Sequence, residues 1–258
     1  MTAPQMLFSW EICMPFLSEN LAALPGLSHA FACADDVDKP HDLFYCAQNH
    51  GATIIEVGQE HEAGVIAGDA VYTRTSRPIG IVTADCLPIF IGSETEPFVA
   101  AIHGGWQGLA AGIIETAFDT FRSAGVSVDD LQIALGPAIH SCCYEVSTPL
   151  VDTIEDTHGH LWRARPRPWS TSRKQAGQVP HADRATASHG EAWLDLSCYC
   201  RYLLGAAGIN SAQIQTSQVC TYCAGPEWGS YRRRTDRSEQ KKFQYSWISL
   251  GSSDSERV

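Results

Sequence analysis

The fold is decided by the stretch Ile79-Gly-Ile-Val-Thr-Ala84, Leu87-Pro-Ile-Phe-Ile91 and Phe98-Val-Ala-Ala-Ile102. These three runs are apolar, contain β-branched residues and are bounded by turn residues, which is typical of buried strands. Periodicity alone leaves a helix open in runs this short. From Trp106 the pattern changes, because apolar residues recur every four positions as far as Phe121 and form one stripe of a helix.

The rest of the chain continues this mixture of strands and helices. Gly125 is placed to end the helix that begins near Trp106. Further strands are predicted at residues 131–135, 213–219 and 243–250, and a further helix at residues 193–207. A chain of 258 residues suits one large domain or two small ones. The sequence therefore predicts a fold of the α/β class.

Composition excludes several classes of protein. Hydrophobic residues make up 44% and charged residues 18%, which is ordinary for a globular protein and argues against a disordered chain. The formal net charge of −11 disfavours nucleic acid and anionic membranes as partners, because phosphates would repel the chain on average. No apolar stretch approaches 18 residues, and residues 1–10 lack a signal-peptide pattern. We expect a soluble, cytoplasmic protein.

Ten cysteines are present, and we expect reduced thiols rather than a disulfide framework. They include the pairs Cys142-Cys143, Cys198-x-Cys200 and Cys220-x-x-Cys223. A lone C-x-x-C is a weak zinc or redox signal, and no second pair stands at zinc-finger spacing. Cys220 and Cys223 are therefore interpreted as small buried hydrophobes.

Two segments are rich in basic residues. Residues 158–190 hold six of the eighteen Lys and Arg residues and few aliphatic ones, which predicts a solvated surface loop or, alternatively, a basic lid over an anionic substrate. The second segment, Tyr231-Arg232-Arg233-Arg234, lies between two predicted strands. Because arginine offers a planar fork of donors, Tyr231, Arg232 and Arg233 are candidates for binding phosphate.

The candidate chemistry lies where two predicted strands end. Cys86 follows the first strand, and His103 ends the third and is followed by Gly104 and Gly105. Loops at strand ends form the usual crevice of α/β sheets, and glycines at a helix start favour an anion. Cys86 and His103 can be metal ligands, a nucleophile with its base, or two unrelated buried residues.

Two neighbours extend this candidate site. Among the remaining histidines, His61 is best placed to add a third ligand. Asp85 adjoins Cys86 and is interpreted as a residue that orients a ligand, as a general acid or base, or as a strand-end carboxylate that bonds nearby backbone.

An ordered set of motifs resembles one known family, the laccase-domain proteins once called multicopper polyphenol oxidases. The motifs are His61 with Gln59, Gly68-Asp-Ala70, Ala84-Asp-Cys-Leu-Pro88, His103-Gly-Gly-Trp-Gln-Gly108, Gly136-Pro-Ala-Ile139, Cys143-Tyr-Glu-Val146, Leu194-Asp-Leu196, Cys220-Thr221 and Ser230-Tyr-Arg-Arg233. They extend over residues 28–250, nearly the whole chain.

The resemblance implies a fold, a metal site and a reaction. The fold is a single α/β domain, here residues 1–258, of mixed β-sheets flanked by helices, similar to bacterial cysteine hydrolases of the cytotoxic necrotizing factor type. The implied metal ligands are His61, Cys86 and His103, with zinc as the metal and copper as the alternative. The implied reactions are phosphorolysis of adenosine, inosine, guanosine and methylthioadenosine, and hydrolytic deamination of adenosine. The partners are then a purine nucleoside and phosphate, in a monomer or small homo-oligomer.

Three other functions remain open at this point. One bacterial branch of the family edits a peptidoglycan precursor, which would make Cys86 the nucleophile of an amide hydrolase with His103 as its base. A copper polyphenol oxidase is a third reading, although a trinuclear copper centre needs many more histidines than this chain clusters. A protein that binds nucleosides without turnover is the fourth, because Gln107 stands where the family has arginine and the N-terminal segment at residues 31–39 is shortened.

Overall fold

The computed structural model describes residues 13–34, 39–58, 61–172 and 192–251. The helices are α1 (Glu19–Ala22), α2 (Trp106–Ala110), α3 (Ile113–Ser123), α4 (Thr148–His158), α5 (Leu196–Ala206) and α6 (Tyr231–Arg237). The strands are β1 (Leu27–Ala30), β2 (Ile54–Glu56), β3 (Ala70–Thr73), β4 (Ile79–Thr83), β5 (Leu87–Ser93), β6 (Val99–Gly104), β7 (Leu131–Leu135), β8 (Glu145–Val146), β9 (Trp169–Ser170), β10 (Ala192–Leu194), β11 (Ile214–Thr216) and β12 (Gln244–Leu250).

A six-stranded mixed sheet forms the centre of the molecule. Its order is β11-β7-β5-β6-β3-β2, with parallel pairing at the two outer positions and antiparallel pairing between the inner strands. Both faces of this sheet are buried. On β5, Ile89 and Ile91 belong to one hydrophobic cluster and Phe90 to the other. The apolar runs lack polar alternation for this reason, since a strand covered on both faces needs no polar side.

The two faces of the central sheet are covered differently. Apolar residues of α3, α4 and α5 pack on one face, and the antiparallel sheet β1-β12-β4 packs on the other. The rings of Phe31 and Phe90 stack across this second interface, with centroids 4.4 Å apart. The predicted α/β class is confirmed, in the form of several sheets flanked by helices.

The predicted strands agree closely with the structure, but the long helix is divided. Gly112 has a φ of +86° and separates α2 from α3, so the apolar stripe from Leu109 to Phe121 spans two helices rather than one. Gly125, at φ +84°, follows the end of α3 as predicted. The segment predicted as a helix over residues 193–207 begins instead as strand β10 and becomes α5 only at Leu196.

The described part of the basic segment lies against α5. Residues 158–172 contain a short 3-10 turn and β9, and the Tyr202 hydroxyl donates to the Pro166 carbonyl at 2.6 Å. Arg165 and Arg167 lie over the rings of Tyr202 and Trp169. The remainder of the predicted loop, with Arg173, Lys174 and Arg184, lies outside the described residues.

The expectation that all cysteines are reduced is wrong for one pair. Cys13 and Cys33 form a disulfide with a Cα–Cα distance of 6.2 Å. The pairing follows from the backbone, because Phe16 and Phe31 form an antiparallel bridge that brings the two segments together. In the same described ranges, no helix is both long enough and apolar enough to cross a membrane.

Candidate functional site

A cavity of about 630 Å³ opens where β4 and β6 end and β5 begins. The register of the sheet creates this meeting point, because Leu87 at the start of β5 pairs with Gly104 at the end of β6. The next pair along is Pro88 with His103, so Cys86, two residues before Pro88, is the diagonal neighbour of His103 across the two strands. Both line the cavity, as predicted from their positions at strand ends.

A third ligand-bearing residue, His50, completes a cluster with Cys86 and His103. Ligand atoms of the three residues all lie within 4.8 Å of one another. The Nε2 atom of His50 lies 3.8 Å from Sγ of Cys86, and the two imidazole rings meet edge to face with centroids 4.7 Å apart.

His61 lies elsewhere, although it was the predicted third ligand. Its Nδ1 atom accepts the backbone N–H of Gly58 at 3.1 Å, and its ring centroid lies 5.9 Å from that of Phe44. Its predicted neighbour Gln59 lies outside the described residues. His50 has a signal of its own in the sequence, since His50-Gly51 precedes a strand-forming run in the way that His103-Gly104 precedes a helix.

A single buried carboxylate, Asp69, positions two of the three ligands. Its Oδ1 atom lies 2.8 Å from Nδ1 of His103 and accepts the backbone N–H of His50 at 2.9 Å. Its Oδ2 atom accepts the N–H groups of Asn49 and Gly51. Because Nδ1 of His103 is held by Asp69, Nε2 is the atom left to bind a ligand. Asp69 lies in the quoted motif Gly68-Asp-Ala70, but its role was not predicted.

Electrostatics couples Cys86 to His103. Burial would raise the pKa of Cys86, but the charge of His103 and hydrogen bonds from both histidines lower that pKa to about 7. Burial would likewise lower the pKa of His103, but the Cys86 thiolate and the Asp69 carboxylate raise it to about 9. Between about pH 7 and pH 9 the metal-free site therefore favours a thiolate beside an imidazolium.

Asp85 also lines the cavity, and its carboxylate holds the N-terminus of α6. Its Oδ1 atom accepts the Thr221 hydroxyl at 2.6 Å, and its Oδ2 atom accepts the Arg232 backbone N–H at 2.7 Å. The Asp85 carbonyl accepts the N–H of Ile139 at 2.9 Å. Burial raises the pKa of Asp85 above its ordinary value. This geometry favours the interpretation of Asp85 as a positioning residue over that of a general acid or base.

Arg232 is the cationic group of the cavity wall. Its Nη2 atom donates to the Glu145 carbonyl at 2.9 Å, and its guanidinium carbon lies 5.7 Å from the Tyr144 ring centroid. Its buried Nη1 atom has no hydrogen-bond partner in the described part of the chain. Tyr231 also lines the cavity, with 59% of its surface exposed and Arg234 packed over its ring. Both positions are compatible with the predicted contact to phosphate.

Arg233 differs from Arg232 because its donors are used within the protein. It is 4% exposed and donates to the carbonyls of Thr221, Tyr222 and Trp228. Its Nε atom donates to Glu239 at 2.8 Å. Arg233 is absent from the cavity lining, so its predicted role in phosphate binding is replaced by one in fixing the loop before α6.

Gly104 and Gly105 serve close packing. A Cβ atom on Gly104 would lie 2.9 Å from the Leu87 carbonyl oxygen. A Cβ atom on Gly105 would lie 2.9 Å from Cδ2 of His50 and 3.3 Å from Sγ of Cys86. The helix that follows, α2, has only five residues and presents a weak dipole to an anion. The predicted phosphate site at its start is therefore replaced by a steric role.

The remaining cavity wall is largely aromatic. It contains Tyr45, Trp106, Tyr144, Tyr231, Phe243 and Tyr245. Trp106 packs against the core and also lines the cavity. Gln107, which stands where the resemblance calls for arginine, is an exposed residue at the cavity edge.

The three-residue cluster suits a metal of borderline softness. One thiolate and two imidazole nitrogens are donors that zinc and copper accept, and a carboxylate behind a ligating histidine is the usual support of such a site. Three protein ligands leave one position open to water or substrate. The donor set therefore fits a catalytic metal ion held by His50, Cys86 and His103.

Known proteins share this chain's sequence pattern and fold. Two similar proteins are the adenosine deaminase RL5 of an unknown prokaryotic organism and the purine nucleoside phosphorylase YlmD of Geobacillus stearothermophilus. RL5 is 30% identical over 201 residues, which cover 74% of this chain and 70% of RL5. YlmD is 30% identical over 198 residues, which cover 73% of this chain and 66% of YlmD, just under two thirds of that relative.

Comparison with solved structures shows that one of these relatives has the same fold. The crystal structure of YlmD from Geobacillus stearothermophilus superposes with a TM-score of 0.72 at 23% identity, covering 91% of this chain and 94% of that one. Residues 29–243 match the profile of the family described as multi-copper polyphenol oxidoreductase laccase. That match spans most of the chain, from β1 to the residue before β12, and the chain belongs to this laccase-domain family.

Proposed function

We propose that this protein is a zinc-dependent purine nucleoside enzyme that cleaves adenosine, inosine, guanosine and methylthioadenosine with phosphate and also deaminates adenosine. The observation that carries the proposal is one aromatic cavity that contains both an open His50–Cys86–His103 ligand set and the Nη1 atom of Arg232, which has no hydrogen-bond partner among the described residues. The names of the relatives RL5 and YlmD support the same substrate class.

Phosphorolysis needs a held phosphate and a stabilised leaving base. A phosphate oxygen attacks C1′ of the ribose, the bond from C1′ to N9 breaks, and the purine leaves with that electron pair and takes a proton. The Arg232 guanidinium would bind the phosphate, because its Nη1 atom is buried without a partner and a charged donor prefers a charged acceptor. Aromatic side chains such as Trp106 and Tyr144 would bind the planar base by stacking.

Deamination needs water activated beside C6 of adenine. A zinc ion held by His50, Cys86 and His103 would supply a Lewis acid for that hydrolysis. Asp69 would keep the His103 ring oriented, and Gly105 would let His50 and Cys86 approach each other. The cavity volume of about 630 Å³ lies within the range that encloses a small-molecule ligand.

Two matched pairs of variants test the proposal. The products to be measured are hypoxanthine from inosine with phosphate, and inosine from adenosine without phosphate. We expect His50→Ala to abolish zinc binding at the cavity site and both activities, and His61→Ala to keep both activities within about twofold. Arg232→Ala should raise the KM for phosphate, whereas Arg237→Ala, an exposed arginine on the same helix, should not. Activity that survives His50→Ala but not His61→Ala would contradict the assignment of the ligand.

A second function, cysteine-dependent amide hydrolysis, is favoured by one specific arrangement. Asp69, His103 and Cys86 form a chain in which the carboxylate orients the imidazole and the imidazole pairs with the thiolate. A bound zinc ion would engage this thiolate, so the two functions predict opposite responses to chelation. A hydrolase acting on a peptidoglycan precursor would gain or keep activity when zinc is removed, whereas the nucleoside enzyme would lose it.

A further inference from the structure

Two turns on the far side of Asp85 bring four cysteines together. Cys142 and Cys143 lie in the turn before β8, and Cys220 and Cys223 lie in the turn between β11 and α6. Cys142, Cys143 and Cys220 are buried, and Cys223 is partly buried. This cluster is separate from the His50–Cys86–His103 site, because none of its members lines the cavity.

The sulfur atoms are spaced as ligands of one metal ion. Sγ of Cys142 lies 3.6 Å from Sγ of both Cys220 and Cys223, and Sγ of Cys143 lies 3.4 Å from that of Cys223. All four sulfurs lie within 4.8 Å of one another. A disulfide would require about 2.05 Å between two of them. Tetrahedral zinc with bonds of about 2.3 Å separates its sulfurs by about 3.8 Å, which is close to the observed spacing.

The backbone around the cluster is arranged to stabilise thiolates. The His140 N–H donates to Sγ of Cys220 at 3.4 Å. The same turn is closed by the N–H of Cys143, which donates to the His140 carbonyl at 2.8 Å. The opposite turn is closed by the N–H of Cys223, which donates to the Cys220 carbonyl at 3.0 Å. Each turn is thus closed by a backbone hydrogen bond, and one of the turns also donates a backbone N–H to a cysteine sulfur. Such hydrogen bonds to ligand atoms are typical of metal sites.

We propose that Cys142, Cys143, Cys220 and Cys223 bind one zinc ion in a closed, tetrahedral structural site. Four sulfur ligands fill the coordination shell and leave no position for water or substrate, unlike the three-ligand cavity site. Binding replaces thiol protons, which pass to solvent, and forms four Zn–S bonds without any change of oxidation state. The protein then holds two metal ions of different purpose.

The position of this second site explains what it would stabilise. It joins turns that are 78 residues apart in sequence, and each turn contacts Asp85. Ile139 donates its N–H to the Asp85 carbonyl, and Thr221 donates its hydroxyl to the Asp85 carboxylate. Since Asp85 precedes Cys86, the zinc ion would fix the back wall of the cavity and, through it, the position of the cavity thiolate.

Cobalt substitution of the Cys86→Ala protein tests the site without disturbing it. This variant lacks the one cysteine of the His50–Cys86–His103 cluster, and the other cysteine of the cavity wall, Cys46, is buried and belongs to neither ligand group. Intense sulfur-to-cobalt charge-transfer absorption is therefore assigned to the four-cysteine cluster. We expect one tightly bound Co²⁺ per chain with the intense visible bands of a tetrahedral thiolate site, displaced by one equivalent of Zn²⁺. Absence of charge-transfer bands in the reduced, folded variant would overturn the proposal, as would a disulfide within the cluster in protein purified under reducing conditions.

Metal content provides the second measurement. Wild-type protein should contain about two zinc ions per chain, and the Cys220→Ser/Cys223→Ser double variant about one, with a lowered Tm. Cys198→Ser, which changes a cysteine outside both sites, should retain two ions. A double variant that keeps the wild-type zinc content would overturn the proposal even if its Tm falls. The variants also separate the two sites, because loss of the cavity metal alone is expected for Cys86→Ala.

Discussion

Replacing Asp69 with asparagine is the sharpest perturbation of the cavity site. The Asp69 carboxylate is fully buried and accepts four donors: the ring of His103 and the backbone N–H groups of Asn49, His50 and Gly51. An amide of the same shape has only one oxygen. In Asp69→Asn, two of the four donors must therefore face an NH₂ group that cannot accept them.

The magnitude follows from these contacts. Each buried donor left without an acceptor costs about 1–3 kcal/mol, so with two such donors we expect the free energy of unfolding of metal-free protein to fall by about 2–6 kcal/mol. The carboxylate behind a ligating histidine also strengthens that ligand, and its loss typically weakens metal binding by about 10- to 100-fold. We therefore expect the zinc dissociation constant of Asp69→Asn to rise by about that factor.

The effect on stability depends on pH in a definite sense. Burial would raise the pKa of Asp69, but its bonds to His103 and Gly51 lower that pKa below the ordinary value. The contribution of Asp69 is therefore complete above its ordinary pKa and is lost as the pH falls through the lower, folded value. The pKa of His103 is raised to about 9, so the contribution of His103 is complete below its ordinary pKa of 6.5 and is lost as the pH rises through 9. The difference in the free energy of unfolding between wild type and Asp69→Asn should be largest between the ordinary pKa of Asp69 and the ordinary pKa of His103.

The assay is a zinc competition with a chromophoric chelator, combined with urea unfolding of the metal-free proteins from pH 4 to pH 10. Asp152→Asn, on the exposed face of α4, is the matched control and should change neither quantity. The reasoning would be refuted by an Asp69→Asn protein that binds zinc within twofold of wild type and unfolds at the same urea concentration. A loss of stability without a loss of zinc affinity would restrict Asp69 to a structural role.

Three further predictions concern the same cavity. Alkylation of Cys86 by iodoacetamide in metal-free protein should reach half its maximal rate near pH 7 rather than near pH 9, because His103 lowers the pKa of Cys86. A midpoint near pH 9 would contradict the ion pair between Cys86 and His103. Gly105→Ala should weaken zinc binding in the cavity at least tenfold, because its methyl group would lie 2.9 Å from Cδ2 of His50. Gly205→Ala is the control, since its methyl group would have nothing within 4 Å and should leave zinc binding unchanged. Isothermal titration measures both affinities. Gln107→Arg should lower the KM for phosphate about threefold to tenfold, which corresponds to about 1 kcal/mol for one added charge at the solvated edge of the cavity. Steady-state phosphorolysis at varied phosphate concentration measures this KM. An unchanged KM would show that phosphate does not bind near residue 107.

The central sheet was predictable because its strands carry their signal locally. The runs at residues 87–91 and 98–102 of this sheet are buried on both faces, so each is apolar over its whole length and bounded by turns. The run at residues 79–84 has the same apolar signal but forms β4 of the antiparallel sheet β1-β12-β4. The division of the helix at Gly112 was less visible, because the apolar residues keep their spacing across the break. A period of four positions does not reveal that one residue between them has a positive φ.

The cavity site was predictable only in part, for a related reason. Cys86 and His103 are brought together by strand register, which the strand predictions imply. His50 belongs to a loop whose position depends on backbone bonds to Asp69, and its one local signal, a His-Gly pair before a strand-forming run, is weak. The four-cysteine cluster was missed in the same way, since its two pairs are 78 residues apart and each pair alone is a weak signal.

Asp85 links the cavity site to the two turns that carry the four cysteines. It has a φ of +83°, a conformation that costs a residue with a Cβ atom about 1–3 kcal/mol unless its surroundings hold it there. Both carboxylate oxygens and the carbonyl are engaged, by Thr221, by the backbone of Arg232 and by the backbone of Ile139. These bonds come from the two turns that carry the four cysteines and from the start of α6. The left-handed turn at Asp85 sets the direction in which Cys86 enters the cavity, so the geometry of the thiolate depends on contacts made well outside the cavity. Substitutions in those turns should therefore alter metal binding by Cys86 although they touch neither the cavity metal nor the substrate.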